Sequence, residues 1–295
     1  MHRIISQVIF FSLLSLMPTA KAVESVATRP VAVVANPAAR QALPLWEIGI
    51  AAAAAGSPDY PGSDRSRARV LPLPYGIYRG KTLRADEDGV SSRYRFSPTV
   101  ELDLSFGGAL PAASRGNPVR EGMPDLDLLL EVGPQLSILL LRPTRSTAIT
   151  LAVPVRAVFS TDFDRIKSRG VLFAPELSYL NGKFARRGWS TRVTLGTSFG
   201  SEPLADYFYQ VDPRFVRPDR PAYDSDGGYL ESSLTTVVSR SFVNDISLFT
   251  FARFASLEGA SNSDSPLLRD RSNLSFGIGL AYTFLRSEKT ISDED

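Results

Sequence analysis

The sequence predicts an all-β fold: an antiparallel transmembrane β-barrel of about 10–12 strands. Three observations predict it. First, apolar and polar residues alternate with a period of two in segment after segment, which is the pleat of a strand and not the turn of a helix. The segments are about as long as the 9–11 residues that a tilted strand needs to cross a bilayer. Second, the connections alternate between short and long, as in barrels with tight periplasmic turns and extended outer loops. Third, the chain opens on an export signal and carries no other apolar run of the length of a membrane helix. A lone strand in lipid would leave its N–H and C=O groups unpaired, so the strands have to close on one another.

Residues 1–22 have the layout of a secretory signal: Arg3, an apolar stretch from Ile4 to Met17, and the small-residue site Ala20-Lys21-Ala22. The sequence has no Cys, which excludes a lipoprotein anchor and disulfides. Cleavage would remove Arg3 and Lys21 and no acid, so 33 basic residues become 31, against 31 acidic ones. A neutral chain without a clustered basic excess is no nucleic-acid binder. Val23 to Pro44, rich in Ala, Val and Pro, is expected as a flexible N-terminal linker.

The barrel is expected over residues 45–284. The first strand runs from Leu45 to Ala55, and the second from Arg69 to Tyr78, where Pro72 and Pro74 suggest a bulge or local distortion. From Tyr94 to Phe106 the alternation is clearest. Phe96, Pro98, Val100, Leu102, Leu104 and Phe106 share one face, and Arg95, Glu101 and Asp103 the other. Taking Thr82 to Phe106 as one irregular strand gives ten strands; twelve is the alternative. Further strands follow at Leu126–Leu140, Ile149–Phe159, Val171–Tyr179, Trp189–Phe199, Tyr229–Phe242, Ile246–Leu257 and Leu274–Phe284. The last aligns Leu274, Phe276, Ile278, Leu280, Tyr282 and Phe284 against Ser275, Gly277, Gly279, Ala281 and Thr283. Apolar residues suit lipid and small ones a narrow interior, whereas a soluble barrel would carry Lys and Glu outside. Tyr94, Tyr179, Trp189, Tyr282 and Phe284 fit interface girdles. Residues 285–295, ending in Asp293-Glu294-Asp295, are expected to hang in the periplasm as a C-terminal tail.

Several pieces together resemble the MipA/OmpV family of outer-membrane proteins. They are Tyr60-Pro-Gly-Ser-Asp64, Leu71-Pro-Leu-Pro-Tyr75, Tyr207-Phe-Tyr209 with Arg220-Pro-Ala-Tyr223, Ser265-Pro-Leu267 and Tyr282-Thr-Phe284. Gln210 stands where that family usually has Gly. The family takes its name from interaction with the murein hydrolase MltA. The resemblance therefore implies an outer-membrane protein that gathers a murein lytic transglycosylase and a murein synthase, surrounded by outer-membrane lipid and lipopolysaccharide. A porin-like channel for small solutes is the alternative.

The chemistry available is narrow. His2 is the single histidine and leaves with the signal, so Ser-His or Cys-His catalysis and His or Cys metal sites are excluded. Catalytic, cofactor-binding and metal residues are accordingly expected to be none. The inward acids Glu101 with Asp103, and Asp127 with Glu131, could form a paired-acid site. Lumenal pairing with Arg95, Arg156 or Arg192 is the simpler expectation, with Glu176 among the inward groups. Asp59 with Asp64, or Asp162 with Asp164, could ligate Ca²⁺. Arg214, Arg217 and Arg220 could grip lipopolysaccharide phosphates. The turn Lys183 to Arg187 offers a basic patch for a partner or for murein.

Overall fold

A computed structural model describes residues 43–79, 83–86, 89–92, 94–144, 146–182, 188–242 and 245–291. The signal segment, most of the expected linker and the basic turn 183–187 lie outside the described residues. The strands are β1 (Leu43–Pro44), β2 (Trp46–Pro58), β3 (Ser66–Arg79), β4 (Leu83–Asp86), β5 (Gly89–Ser92), β6 (Tyr94–Ser97), β7 (Val100–Ala109) and β8 (Leu128–Thr144). They continue as β9 (Thr147–Thr161), β10 (Ile166–Phe173), β11 (Glu176–Asn181), β12 (Trp189–Gly200), β13 (Gly228–Ser241), β14 (Ile246–Ser256), β15 (Ser272–Arg286) and β16 (Thr290–Ile291). A helix, α1 (Glu202–Tyr209), lies between β12 and β13.

Neighbouring strands pair antiparallel around a single large sheet, in which β15 meets β2 and so joins the end of the chain to its beginning. β10 and β11 are one strand broken at Ala174-Pro175, both pairing with β9 and β12. Ten long spans result among the described residues, β10 and β11 counting as one, with β4, β5 and β6 as short additions.

The polarity is inverted relative to a soluble domain. Leu274, Phe276, Ile278, Leu280, Tyr282 and Phe284 are all exposed, while Glu131, Arg156, Glu231, Arg253, Ser198 and Ser275 are buried. An apolar belt outside and hydrogen-bonding groups inside is what a hydrocarbon surround stabilises.

The stretch from Tyr94 to Phe106 is a hairpin instead of one strand. Tyr94 pairs with Leu102, and Ser97 with Val100. The reversal sits at Pro98-Thr99, where Pro98 has no N–H for a ladder and the Thr99 N–H donates to Ser97 Oγ at 3.2 Å. Alternation is blind to this reversal, because a tight turn keeps the period of two.

Pro72 and Pro74 make no bulge, since β2 and β3 stay in unbroken register from Trp46↔Tyr78 to Pro58↔Ser66. An antiparallel residue aims its N and C=O at the same neighbour, left and right in alternation. The ladder at Ala51↔Leu73 therefore requires both prolines to turn their nitrogens away from β2. Among the described residues that other edge of β3 pairs with a strand only at its lower end, where Tyr78 and Arg79 meet β4. Among the described residues no ladder joins β3 to β7. The hairpin β4–β5 is interposed, β5 lying beside β7. Above it, Arg67 Nη2 donates to Ala113 O at 2.8 Å and Arg69 Nη2 to Pro111 O at 3.4 Å, so two guanidinium groups tie the seam.

The segment expected as a free tail is partly wall. β15 runs on to Arg286, pairing Leu285 with Ile48 and Arg286 with Glu47 after a register shift at Thr283. Then β16 pairs with β1, placing Ile291 opposite Leu43. The start of β2 needs a partner at the barrel foot, and these residues supply it.

Candidate functional site

Three features occupy the interior and the mouth. At mid-height, Phe251 lies opposite Gly277 and Phe249 opposite Gly279. The rings rest on that glycine stripe: a Cβ on Gly279 would stand 2.2 Å from Phe249 Cζ, and one on Gly277 2.4 Å from Phe251 Cε1. Phe251 packs with Ala51, Ala53 and Val237. The small face of the last strand thus makes room for aromatic filling, which alternation alone does not reveal.

Two buried ion pairs cross between neighbouring strands. Arg156 donates to Glu131 Oε2 at 3.2 Å and to Ser105 Oγ at 2.8 Å. Arg253 donates to Glu231 Oε1 at 2.7 Å. The first follows the expectation of inward charges pairing. The second escapes sequence reasoning, because β13 shows Ser232 and Thr236 on the face of its exposed Leu234 and so alternates weakly. Glu101 and Asp103 stand on β7 opposite Ser137 and Gln135, and Glu176 stands on β11 opposite Gly196. Arg192 lies on β12 opposite Val237 and Leu180, and the backbone of Arg95 is opposite Glu101.

The long loops fold into a cap with an apolar core of its own, containing Tyr60, Leu126, Leu204, Phe208, Tyr209 and Leu267. Helix α1 supplies its centre. Pro203 and Glu202 suit a helix start, and Leu204, Ala205, Phe208 and Tyr209 fall on one buried face. Eight residues are too few to hold a helix alone, so burial sustains it.

Three of the pieces that carried the family resemblance meet here. Tyr60 Oη donates to Leu267 O at 2.7 Å, Tyr209 Oη to Pro61 O at 3.1 Å, and Ser265 Oγ to Tyr209 O at 2.8 Å. Gly62, at φ 83°, donates to Asn273 Oδ1 at 2.6 Å, and a Cβ there would lie 2.7 Å from Leu268 Cγ. Arg120 is buried, donating to Phe208 O at 3.1 Å with its guanidinium 5.4 Å from the centre of the Tyr60 ring. Desolvation pushes the Tyr60, Tyr207 and Tyr209 phenols well above their ordinary range, so they stay neutral donors. Gln210 stands at φ −64°, where no glycine is needed. It binds the Ser225 N–H through Oε1 and donates to Asp224 through Nε2.

Several expected sites are otherwise employed. Arg220 is buried and donates to Val119 O, Glu121 O and Phe215 O, while Arg217 donates to Pro118 O at 2.6 Å. Arg214 pairs with Asp212. The triplet is no phosphate grip, because its middle and last members hold the cap together. Asp59 is buried against Arg67 at 2.7 Å and also accepts from Asn117, whereas Asp64 is exposed. Asp162 Oδ1 accepts the N–H groups of Asp164 and Arg165 and so closes a turn. Asp127 meets the cap through its backbone oxygen, which accepts from Tyr207 Oη at 3.0 Å. Beneath the cap a crevice of about 10 Å³, lined by Asp59, Tyr60, Leu126 and Phe208, has room for a single water at most.

No curated protein matches the chain. Among solved structures, a bacterial polysaccharide outer membrane secretin is similar at 9% identity and a TM-score of 0.38, over 82% of this chain and 99% of that one. The CymD monoaromatic hydrocarbon channel is similar at 10% identity and 0.35, over 93% and 99%. Outer membrane phospholipase A from Escherichia coli is similar at 10% identity and 0.32, over 86% and 98%. The family model described as MltA-interacting protein MipA matches residues 50–284, nearly all of the barrel wall and its cap, and the chain belongs to that family of outer-membrane β-barrels.

Proposed function

We propose that this protein is an outer-membrane scaffold that gathers murein hydrolase and synthase at its periplasmic face and is not an enzyme. The observation that carries the reading is the filled interior. A packed cap over the mouth, two buried ion pairs and two phenyl rings on a glycine stripe leave little for a solute path. A barrel that does not conduct has to act through its surfaces. The family description, MltA-interacting protein, supports a murein lytic transglycosylase as one partner. At the foot, Leu45 N–H donates to Lys289 O at 2.8 Å and Ser287 N–H to Trp46 O at 2.9 Å, so both ends of the barrel wall form one ordered platform beside the short turns. The absence of His and Cys after cleavage leaves no nucleophile–base pair of the usual kinds.

The test is retention of a purified murein lytic transglycosylase on immobilised barrel. Retention should fall when residues 183–187 and 287–295 are trimmed, with the barrel still folded. Equal retention on trimmed and intact barrel, or none on either, would overturn the scaffold. Steady solute-selective current would favour the channel, for which the Ser- and Thr-lined interior speaks.

A further inference from the structure

The connection between β9 and β10, residues 162–165, is the shortest at the capped end. At its tip Phe163 adopts φ 75°, a conformation that a bulky side chain rarely takes and holds only when its surroundings enforce it. Three hydrogen bonds do so. Phe163 N–H donates to Thr161 Oγ1 at 2.9 Å, and Asp162 Oδ1 accepts from the N–H groups of Arg165 at 2.8 Å and Asp164 at 3.1 Å. All three fix the backbone, and the ring they aim is 81% exposed. Ile166 beside it is 71% exposed.

The position says what receives them. Ile166 pairs with Thr161 two residues above the pair Phe159↔Ser168, and below that Ala157 pairs with Val171 on the lipid-facing side. Val155, Val171 and Phe173 are exposed members of that belt. The tip therefore stands above the lipid-facing side of the wall, beyond the apolar belt and on the capped side. Arg169 is already committed, with Nε on Ser160 Oγ at 2.9 Å and its guanidinium 4.4 Å from the Tyr207 ring. Arg165 and Lys167 are exposed at the tip, and Asp162 and Asp164 balance them, so net attraction to anionic lipid is not the driving force. Apolar area is, with the two cations reaching the phosphate level on flexible stems.

We infer that Phe163 and Ile166 form an outer-leaflet hook that inserts into the acyl-chain boundary of the phosphorylated glycolipid outside the barrel. It fixes the height and rotation of the barrel in the membrane. The test uses the full chain with both tryptophans, Trp46 and Trp189, replaced by Phe, and Phe163→Trp as the single reporter. Phe254→Trp, on the exposed wall, is the lipid control. The proteins are folded into phosphatidylcholine vesicles with plain or brominated acyl chains, and into vesicles containing lipid A. The hook requires brominated lipid to quench the reporter at least twofold, as in the control, with weak quenching by aqueous acrylamide and the same blue-shifted emission with lipid A. A reporter untouched by bromine and fully quenched by acrylamide overturns it. Ile166→Trp carries the same test where Phe163→Trp does not fold.

Discussion

Replacing Glu231 by Gln would leave the Arg253 guanidinium inside the barrel without its counter-charge. The two side chains, Arg253 and Glu231, are 3% and 7% exposed and meet at 2.7 Å. Arg253 Nε has no hydrogen-bond partner among the described residues, so the loss is concentrated on this one contact. An exposed pair broken this way costs about 0.2–1 kcal/mol, whereas removing one partner of a buried pair costs about 3–5 kcal/mol. We expect Glu231→Gln to fall in the second range. The double variant Glu231→Gln, Arg253→Met should recover most of the loss, because it removes the uncompensated buried charge that makes the single variant costly. Urea unfolding of vesicle-folded barrel, followed by the gel shift between folded and boiled samples, measures both. A single variant within about 1 kcal/mol of the parent would show a wet lumen, and the argument for a filled interior would fail.

Gly279→Leu should displace the Phe249 ring and lower the unfolding midpoint, while Phe249→Ala in the same chain should restore part of it; urea titration of the two checks this. Alkaline titration at the phenolate band should show Tyr60, Tyr207 and Tyr209 silent through the ordinary phenol range. Their folded pKa values are raised by burial, so this stability is complete below the ordinary phenol value of about 10 and is lost as pH climbs through the raised values. Asp162 runs the other way. The Arg165 N–H holds its carboxyl below the usual range, so the tip is intact above that range and loosens as pH falls through the depressed value. The loosening is read as rising acrylamide quenching of the Phe163→Trp reporter. Truncation after Arg286 should leave assembly intact, whereas truncation after Phe284 also removes the Leu285↔Ile48 and Arg286↔Glu47 pairs and the ion pair of Arg286 with Asp245, and should impair it.

The wall of the barrel is legible because each lipid-facing strand repeats a period of two, and Leu274 to Phe284 shows that signal without interruption. Boundaries blur where the signal survives a reversal, as at Pro98-Thr99, or where the outward face mixes Ser and Thr with Leu, as on β13. The cap is legible only as fragments. Tyr60-Pro-Gly, Tyr207-Phe-Tyr and Ser265-Pro-Leu are far apart in sequence, and nothing in their spacing says that Tyr60 Oη ends on Leu267 O. Helix α1 lies between the expected strands Trp189–Phe199 and Tyr229–Phe242 and leaves little trace in the sequence, because eight residues give barely two turns of helical periodicity. Arg120, buried at the centre of the cap, sits in a Gly- and Pro-rich loop where an arginine looks solvated.

Planar-bilayer recording of the purified, refolded chain tests the filled interior most directly. The cap, the two ion pairs and the Phe249 and Phe251 rings predict weak, irregular current with no lasting open state. Steady current selective for one class of solute would contradict that prediction and return the barrel to the channels.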